Sequence, residues 1–299
     1  MKTVLITGGS GFIGRHLQES LAEDYRILCP SHRELDLTED MAVRGWFAEH
    51  RPDMVIHGAT KPGHRNAADP SGVFVANTRM FSALWEASRE LGVERFLFLG
   101  SGSEYDMRHY QPKMSEDYLG QHIPSDETGF SKYLCSRMMA GTPGAVNLRF
   151  FGVFGRYEDY AIRFISNAIC KVLFGLPITL RQNRRFDYVC VEDGVSVIRR
   201  FLELPMADLL YDQYNVTPEA SVELLALAEL VRSVAGVPEH PILVAEEGCG
   251  VEYSGDNRRL REQFPDLVFT PMAEAVEALY RWYFERRDDL SKECLMVDK

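Results

Sequence analysis

The sequence predicts an α/β protein, a doubly wound parallel sheet with a smaller C-terminal lobe. Three observations predict it. Short apolar runs alternate with helical stretches through the first half, the rhythm of β-α-β units. A glycine-rich turn, Thr7-Gly8-Gly9-Ser10-Gly11-Phe12-Ile13-Gly14, joins the first run to the first helix. After about Gly155 the rhythm loosens and helices come to outweigh strands.

Each element follows from its residues. Thr3-Val4-Leu5-Ile6 is a buried strand, and 12–22 is the helix after the turn. Residues 25–29 form a second strand, followed by a helix over 39–49 and the strand Met54-Val55-Ile56-His57. A long helix covers 73–91, and Arg95-Phe96-Leu97-Phe98-Leu99 is a further apolar strand. Parallel strands need crossover helices, so this order implies helices on both faces and right-handed connections. A helix near 131–140 and the strand Ala145-Val146-Asn147-Leu148 continue the pattern. Beyond them come a helix over 161–174, a strand at 177–180, a polar loop at 181–185 and a strand at 188–191. A helix starts near Asp193, and others cover 222–234 and 272–286. Residues 1–155 form the first domain and 156–290 mainly the lobe, with segments near 186–215 returning to the main sheet. Residues 291–299 read as a polar, frayed tail.

The 299 residues are 45% hydrophobic and 26% charged, an ordinary globular composition with a net charge of −11. That acidic balance repels phosphate backbones and argues against nucleic-acid binding. Six scattered cysteines include no C-x-x-C pair, and His57, His64, His109 and His122 have no cysteines at ligand spacing, so no metal is expected. No stretch approaches the roughly 18 apolar residues of a membrane span, and the N-terminus has no secretory pattern. A cytoplasmic protein without a membrane partner is the expectation.

The glycine turn carries the first functional signal. Gly8 permits a tight turn, Gly11 lets backbone approach a pyrophosphate, and Gly14 lets the helix pack closely. The amides and dipole of the helix N-terminus then face the phosphates. With a strand before it and a helix after it, the turn marks a dinucleotide site formed by Gly8, Ser10, Gly11, Phe12, Ile13 and Gly14. At the end of the second strand the chain reads Pro30-Ser31-His32-Arg33, with no acid before Glu34. Arg33 and Ser31 suit a ribose 2′-phosphate, which favours NADP, with NAD as the alternative.

With these residues in view, the chain resembles the extended short-chain dehydrogenase/reductase family of nucleotide-sugar epimerases, dehydratases and reductases. The resemblance rests on the glycine turn, Asp36-Leu37, His57-Gly58-Ala59, Asn77, Phe98-Leu99-Gly100-Ser101 with Tyr105, Lys132, and Asp187-Tyr188-Val189 leading to Asp193. The run Arg33-Glu34-Leu35-Asp36-Leu37 looks most like the GDP-L-fucose synthase and dTDP-4-dehydrorhamnose reductase branches. The resemblance implies a Rossmann domain whose lobe binds a nucleotide sugar. It places Asp36 and Leu37 at the adenine, Ala59 beside the cofactor, Ser101 on the sugar oxygen and Lys132 on the nicotinamide ribose. It also implies a homodimer through helices 73–91 and the one carrying Lys132; Phe81, Leu84 and Trp85 fit that apolar surface and ordinary core packing equally well.

One departure is large. The family's Y-x-x-x-K spacing from Lys132 lands on Thr128, whose hydroxyl is a poor general acid. Tyr133 is turned about 100° away from Lys132 and does not replace it. Three explanations stand: another acid acts (Tyr105, Asp126, Glu127 or a water relayed through Thr128), the chain has lost its chemistry, or the threonine is engineered. Ser103 matches a catalytic cysteine of fucose synthases, with Tyr160 loosely at its histidine partner, and a serine is the weaker carbon-acid base. Phe186 stands where an arginine usually clamps the diphosphate, leaving Arg163, Arg184, Arg185 and Arg258 as candidates. The reading is an NADP-dependent reductase of a nucleotide-linked 4-keto-6-deoxy sugar in surface-polysaccharide synthesis. The alternatives are an epimerase or dehydratase of the same class, or a non-catalytic dinucleotide sensor.

Overall fold

Alternation along the first strand sets the architecture. In β1 (Thr3–Thr7), Val4 and Ile6 enter one apolar cluster and Leu5 the other, all fully buried. Such a strand is covered on both faces, as a parallel sheet requires. A computed structural model describes residues 1–61 and 72–296 of the chain; His64 lies outside them.

Among the described residues, β1 is joined by β2 (Arg26–Leu28), β3 (Met54–His57), β4 (Arg95–Ser101), β5 (Ala145–Phe150) and β10 (Gln213–Val216) in one sheet, ordered β10-β5-β4-β3-β1-β2. Every pairing is parallel. The chain runs from β1 outward to β2 and then returns to the other side of β1 at β3, which makes the β1/β3 boundary the topological switch point.

Helices cover both faces. On one side, α1 (Phe12–Leu21) and α6 (Val191–Glu203) bring Leu17, Leu21, Val197, Ile198 and Phe201 against Val4, Ile6, Leu97 and Leu148. On the other, α2 (Asp40–His50), α3 (Val73–Leu91) and α4 (Glu127–Met139) bring Phe47, Phe81, Leu84, Trp85 and Met139 against Leu5, Val55, Phe96 and Phe98. Of the two readings open for Phe81, Leu84 and Trp85, core packing holds, because their side of α3 faces the sheet.

The lobe is built by α5 (Phe164–Leu173), α7 (Leu224–Val234) and α9 (Met272–Glu285), whose apolar faces meet around Ile165, Ile169, Leu227, Val231, Val276 and Leu279. Short strands connect it to the sheet: β6 (Gly152–Phe154) pairs with β9 (Tyr188–Cys190), β8 (Arg185–Phe186) with β11 (Val222–Glu223), and β7 (Ile178–Asn183) with β12 (Ile242–Cys249). The polar segment expected as a loop at 181–185 is thus largely strand, because β12 supplies backbone partners as far as Asn183. A six-residue helix, α8 (Arg258–Gln263), sits beneath β10 with Leu260 buried. The tail is not frayed as far as residue 296: Leu295 is buried in the lobe core and the Ser291 amide donates to Tyr160 Oη at 3.0 Å. Among the described residues, no helix is long and apolar enough to cross a membrane.

Candidate functional site

The site is built at the switch point, where the strands' C-terminal ends open a crevice. Gly8, at φ +75°, is in the left-handed region that only glycine enters freely, and a Cβ there would lie 2.8 Å from the Ala59 amide. Gly14 sits so close to the turn that its Cβ would lie 2.5 Å from Gly9 Cα. The Gly11 amide closes the turn onto Gly8 O at 3.0 Å. No acid stands in the first turn of α1 and no side chain caps it, so the orphan amides of that turn face the crevice without an anionic competitor. Ser10 is exposed and its carbonyl accepts from Arg15 Nε, while Phe12 and Ile13 lean on the core beneath. The cradle fits a pyrophosphate.

Across the crevice, the Ala59 amide donates to Thr7 Oγ1, which in turn lies 2.8 Å from His57 Nδ1. Burial, helped by the charge on Lys132, pushes His57 down to about 3, so this bridge is neutral. At the end of β2, Arg33 is exposed and makes no ion pair among the described residues. Ser31 differs from expectation: its amide and hydroxyl both donate to Glu34 Oε2, at 2.7 and 2.8 Å, so the hydroxyl is already engaged. Asp36 accepts from the amide and hydroxyl of Thr38, bonds that hold its carboxyl below the ordinary range, and Leu37 is buried beside it.

The other wall is the turn after β4. Ser101 Oγ accepts from the Ser103 amide at 3.1 Å, and Glu104 reaches back to the Ser101 amide at 2.9 Å, a reciprocal capping box. Ser103 Oγ is buried with no hydrogen-bond partner, a polar atom with room for one more contact. Helix α4 seats directly on this turn: a Cβ on Gly129 would lie 2.5 Å from Ser103 O. Asp126 caps the helix by accepting from the Gly129 amide, so α4 starts at Glu127, four residues before the expected position. Lys132 is drawn inward; its Nζ donates to Leu99 O at 2.6 Å and lies 4.8 Å from the Phe98 ring centroid. Burial lowers its pKa, with Glu104 pulling the other way. Thr128 is half-buried one helical turn before Lys132.

The acids considered as substitutes for tyrosine have other tasks. Tyr105 is buried, donates to Asn215 Oδ1 at 2.9 Å, and burial raises its pKa further above the usual phenol value. Asp126 is the helix cap, and Glu127 Oε2 accepts from the Phe74 amide at 2.8 Å. Tyr133 Oη points to the far side, near Gly120. Tyr160 stacks edge-on against Tyr283 in the lobe core rather than pairing with Ser103.

The candidate arginine clamps divide. Arg185 donates through all three nitrogens, to Glu223 and twice to Ser221, and is engaged; Arg258 donates only its Nε, to Asp256 at 2.6 Å, and its exposed outer nitrogens stay open to a diphosphate. Arg184 lies over the Phe186 ring, 6.0 Å from its centroid. Arg163 is exposed at the start of α5 and makes no ion pair among the described residues. Sequence reasoning missed Lys113, whose Nζ donates to the buried Asp187 at 3.2 Å, and the buried partners of Glu104. Among the described residues no group of three or more metal-type ligands gathers.

Residues 4–217 match the NAD dependent epimerase/dehydratase family. The chain is 30% identical to GDP-L-fucose synthase 1 of Arabidopsis thaliana, over 94% of this chain and 93% of that one. It is 32% identical to GDP-L-colitose synthase of Yersinia pseudotuberculosis over 105 residues, about a third of either chain. A solved GDP-mannoheptose C4 reductase from Campylobacter jejuni with NADP bound superposes with a TM-score of 0.78 at 18% identity, covering 94% of this chain and 98% of that one, a likeness of fold.

Proposed function

Because the chain belongs to the NAD dependent epimerase/dehydratase family, we propose that it is an NADP-dependent reductase of a 4-keto-6-deoxy sugar carried on a nucleoside diphosphate. The observation that carries this reading is the Ser101 turn seated against α4, with Lys132 half-buried on the same helix and bonded to Leu99 O at the end of β4. Gly8, Gly11, Gly14 and the first turn of α1 would hold the pyrophosphate, Ala59 and Leu37 would border the dinucleotide, and Arg33 would take the 2′-phosphate. Bound there in reduced form, the nicotinamide supplies hydride.

Ser101 accepts from the Ser103 amide, which directs its own proton outward, toward a sugar carbonyl oxygen. Lys132 keeps positive charge beneath the oxygen as it becomes an alkoxide. With Tyr105, Asp126 and Glu127 engaged elsewhere, the proton reaches the alkoxide by water past Thr128, from the acidified Lys132 ammonium. Ser103 in place of a thiolate argues for reduction without epimerisation. Arg163 and Arg258 are the cations that suit the diphosphate. A cytoplasmic homodimer serving surface-polysaccharide synthesis is the setting this reading implies.

The test is NADPH oxidation by the purified chain across nucleotide-linked 4-keto-6-deoxy sugars, beside Thr128→Tyr. Turnover that rises in Thr128→Tyr supports the reading. Failure of both proteins on every sugar, with NADPH bound, refutes it.

A further inference from the structure

Beneath the serine turn lies a pair of charges that the proposed chemistry does not touch. Glu104 and Arg149 are both fully buried, and Arg149 Nε donates to Glu104 Oε2 at 2.5 Å. The same oxygen accepts from Asn147 Nδ2 at 2.8 Å, while Oε1 accepts from the Ser101 amide at 2.9 Å. Arg149 continues through Nη2 to Gln213 Oε1 on β10, and its guanidinium lies 5.5 Å from the Tyr105 ring centroid. Gly100 makes the space: a Cβ there would overlap Glu104 Oε1 and Asn147 Oδ1.

Stability alone is a poor reason for this arrangement. Desolvating two charges offsets most of their attraction, and an apolar pair of similar volume often does as well or better. A residue at 104 that only filled the core would be apolar. What Glu104 does that an apolar residue cannot is bond the Ser101 amide from below while Ser101 bonds the Ser103 amide from above.

We propose that Glu104, fixed by Arg149, is a positioning residue that locks the Ser101 side chain as a hydrogen-bond donor to the substrate oxygen. Half of the capping box belongs to Glu104; without it the Ser101 amide is no longer anchored, and the serine is freed to rotate about χ1 and leave the Ser103 amide. Because Gly129 presses on Ser103 O, the turn also sets the spacing between Ser101 and the helix carrying Lys132. The catalytic meaning of that lock rests on the reductase reading above; the lock itself does not.

The experiment is the double variant Glu104→Val/Arg149→Met, which removes both charges together and so avoids stranding either. It is expected to fold and to melt only modestly below the parent, because no charge is stranded while Asn147 Nδ2 loses its acceptor. Its crystal structure should show the Ser101 Oγ bond to the Ser103 amide lost and the turn displaced. On a sugar that the parent reduces, kcat should fall about 100-fold, the loss typical of a misplacement near 1 Å, with little change in the Kd for NADPH. Adding Ser101→Ala to the double variant should cost no more than about twofold further, because the two changes remove one function. Glu104→Gln, which keeps the acceptor for the Ser101 amide, should recover the turn geometry of the parent. A double variant with the turn unmoved overturns the proposal, as does parental kcat. If the parent reduces no keto sugar, the reductase reading falls, and the crystal structure alone decides: a displaced turn upholds the lock and an unmoved one removes it.

Discussion

Glu158→Gln should flatten the pH dependence of thermal stability, and its size follows from the structure. Glu158 is 6% exposed in the segment that leads into α5, where Ser166 Oγ donates to its Oε1. Burial pushes its carboxyl up to about 8, against weaker opposing effects of Ser166, Arg163 and the Gly155 backbone, with nearby Asp159 adding to the rise. In the unfolded chain the group titrates near 4.5. Between those values the folded state holds one proton more than the unfolded state, so stability falls as pH rises, by about 1.4 kcal/mol per unit, and levels off above 8. From about pH 5 to 8 the loss reaches about 4 kcal/mol, or about 8 °C in melting temperature for a chain of this size. Glutamine stays neutral and its carbonyl still accepts from Ser166. Parent and variant should therefore melt together near pH 5 and diverge by pH 8, with the variant higher. The assay is thermal unfolding of both proteins in half-unit pH steps. A constant offset across the whole range would refute the reasoning, because it would mean that Glu158 does not gain its charge in this window.

Three further outcomes follow from the site. Gly14→Ala forces a methyl group to within 2.5 Å of Gly9 Cα and should weaken NADPH binding at least tenfold by calorimetry, the turn having to open; an unchanged Kd would contradict the close packing. Arg33→Ala removes one exposed cation and should weaken NADPH about tenfold, near 1.4 kcal/mol, while leaving NADH unchanged; equal losses for both cofactors would remove Arg33 from the 2′-phosphate. Lys132→Met buries an apolar chain in place of an ammonium and should raise the melting temperature while lowering kcat about 100-fold; an active Lys132→Met protein would exclude Lys132 from the proton path.

Much of this was readable in the sequence because burial writes itself into periodicity. Val4, Leu5 and Ile6, or Phe96, Leu97 and Phe98, must be apolar on both faces, and the glycines at 8 and 14 answer to a positive φ and a close approach that no other residue permits. Where burial is absent the signal fails. β12 is exposed along nearly its whole length, so its residues carry no pattern, and its pairing with Arg181–Asn183 was invisible from either side. α8 is too short to show a helical period. The tail looked polar because one buried side chain, Leu295, anchors it. Within the site, residue types revealed Ser101 and Lys132, whereas the engagement of Ser31 with Glu34 and of Arg185 with Glu223 depends on side-chain directions that spacing does not encode. Glu104 and Arg149 lie 45 positions apart, and only the parallel sheet brings them together. A lone charge in the otherwise uncharged strand Ala145-Val146-Asn147-Leu148-Arg149-Phe150 was the available clue that a buried partner existed.

The most direct test of the reductase account follows the hydrogen itself. The chain is mixed with a nucleotide-linked 4-keto-6-deoxy sugar and NADPH carrying deuterium at C4 of the nicotinamide, and the sugar product is weighed by mass spectrometry. The account predicts one deuterium per product molecule, bound at sugar C4, with one NADPH consumed for each. Deuterium that stays on the cofactor while the sugar changes configuration would contradict it, and would mark the chain as an epimerase that takes its hydride back.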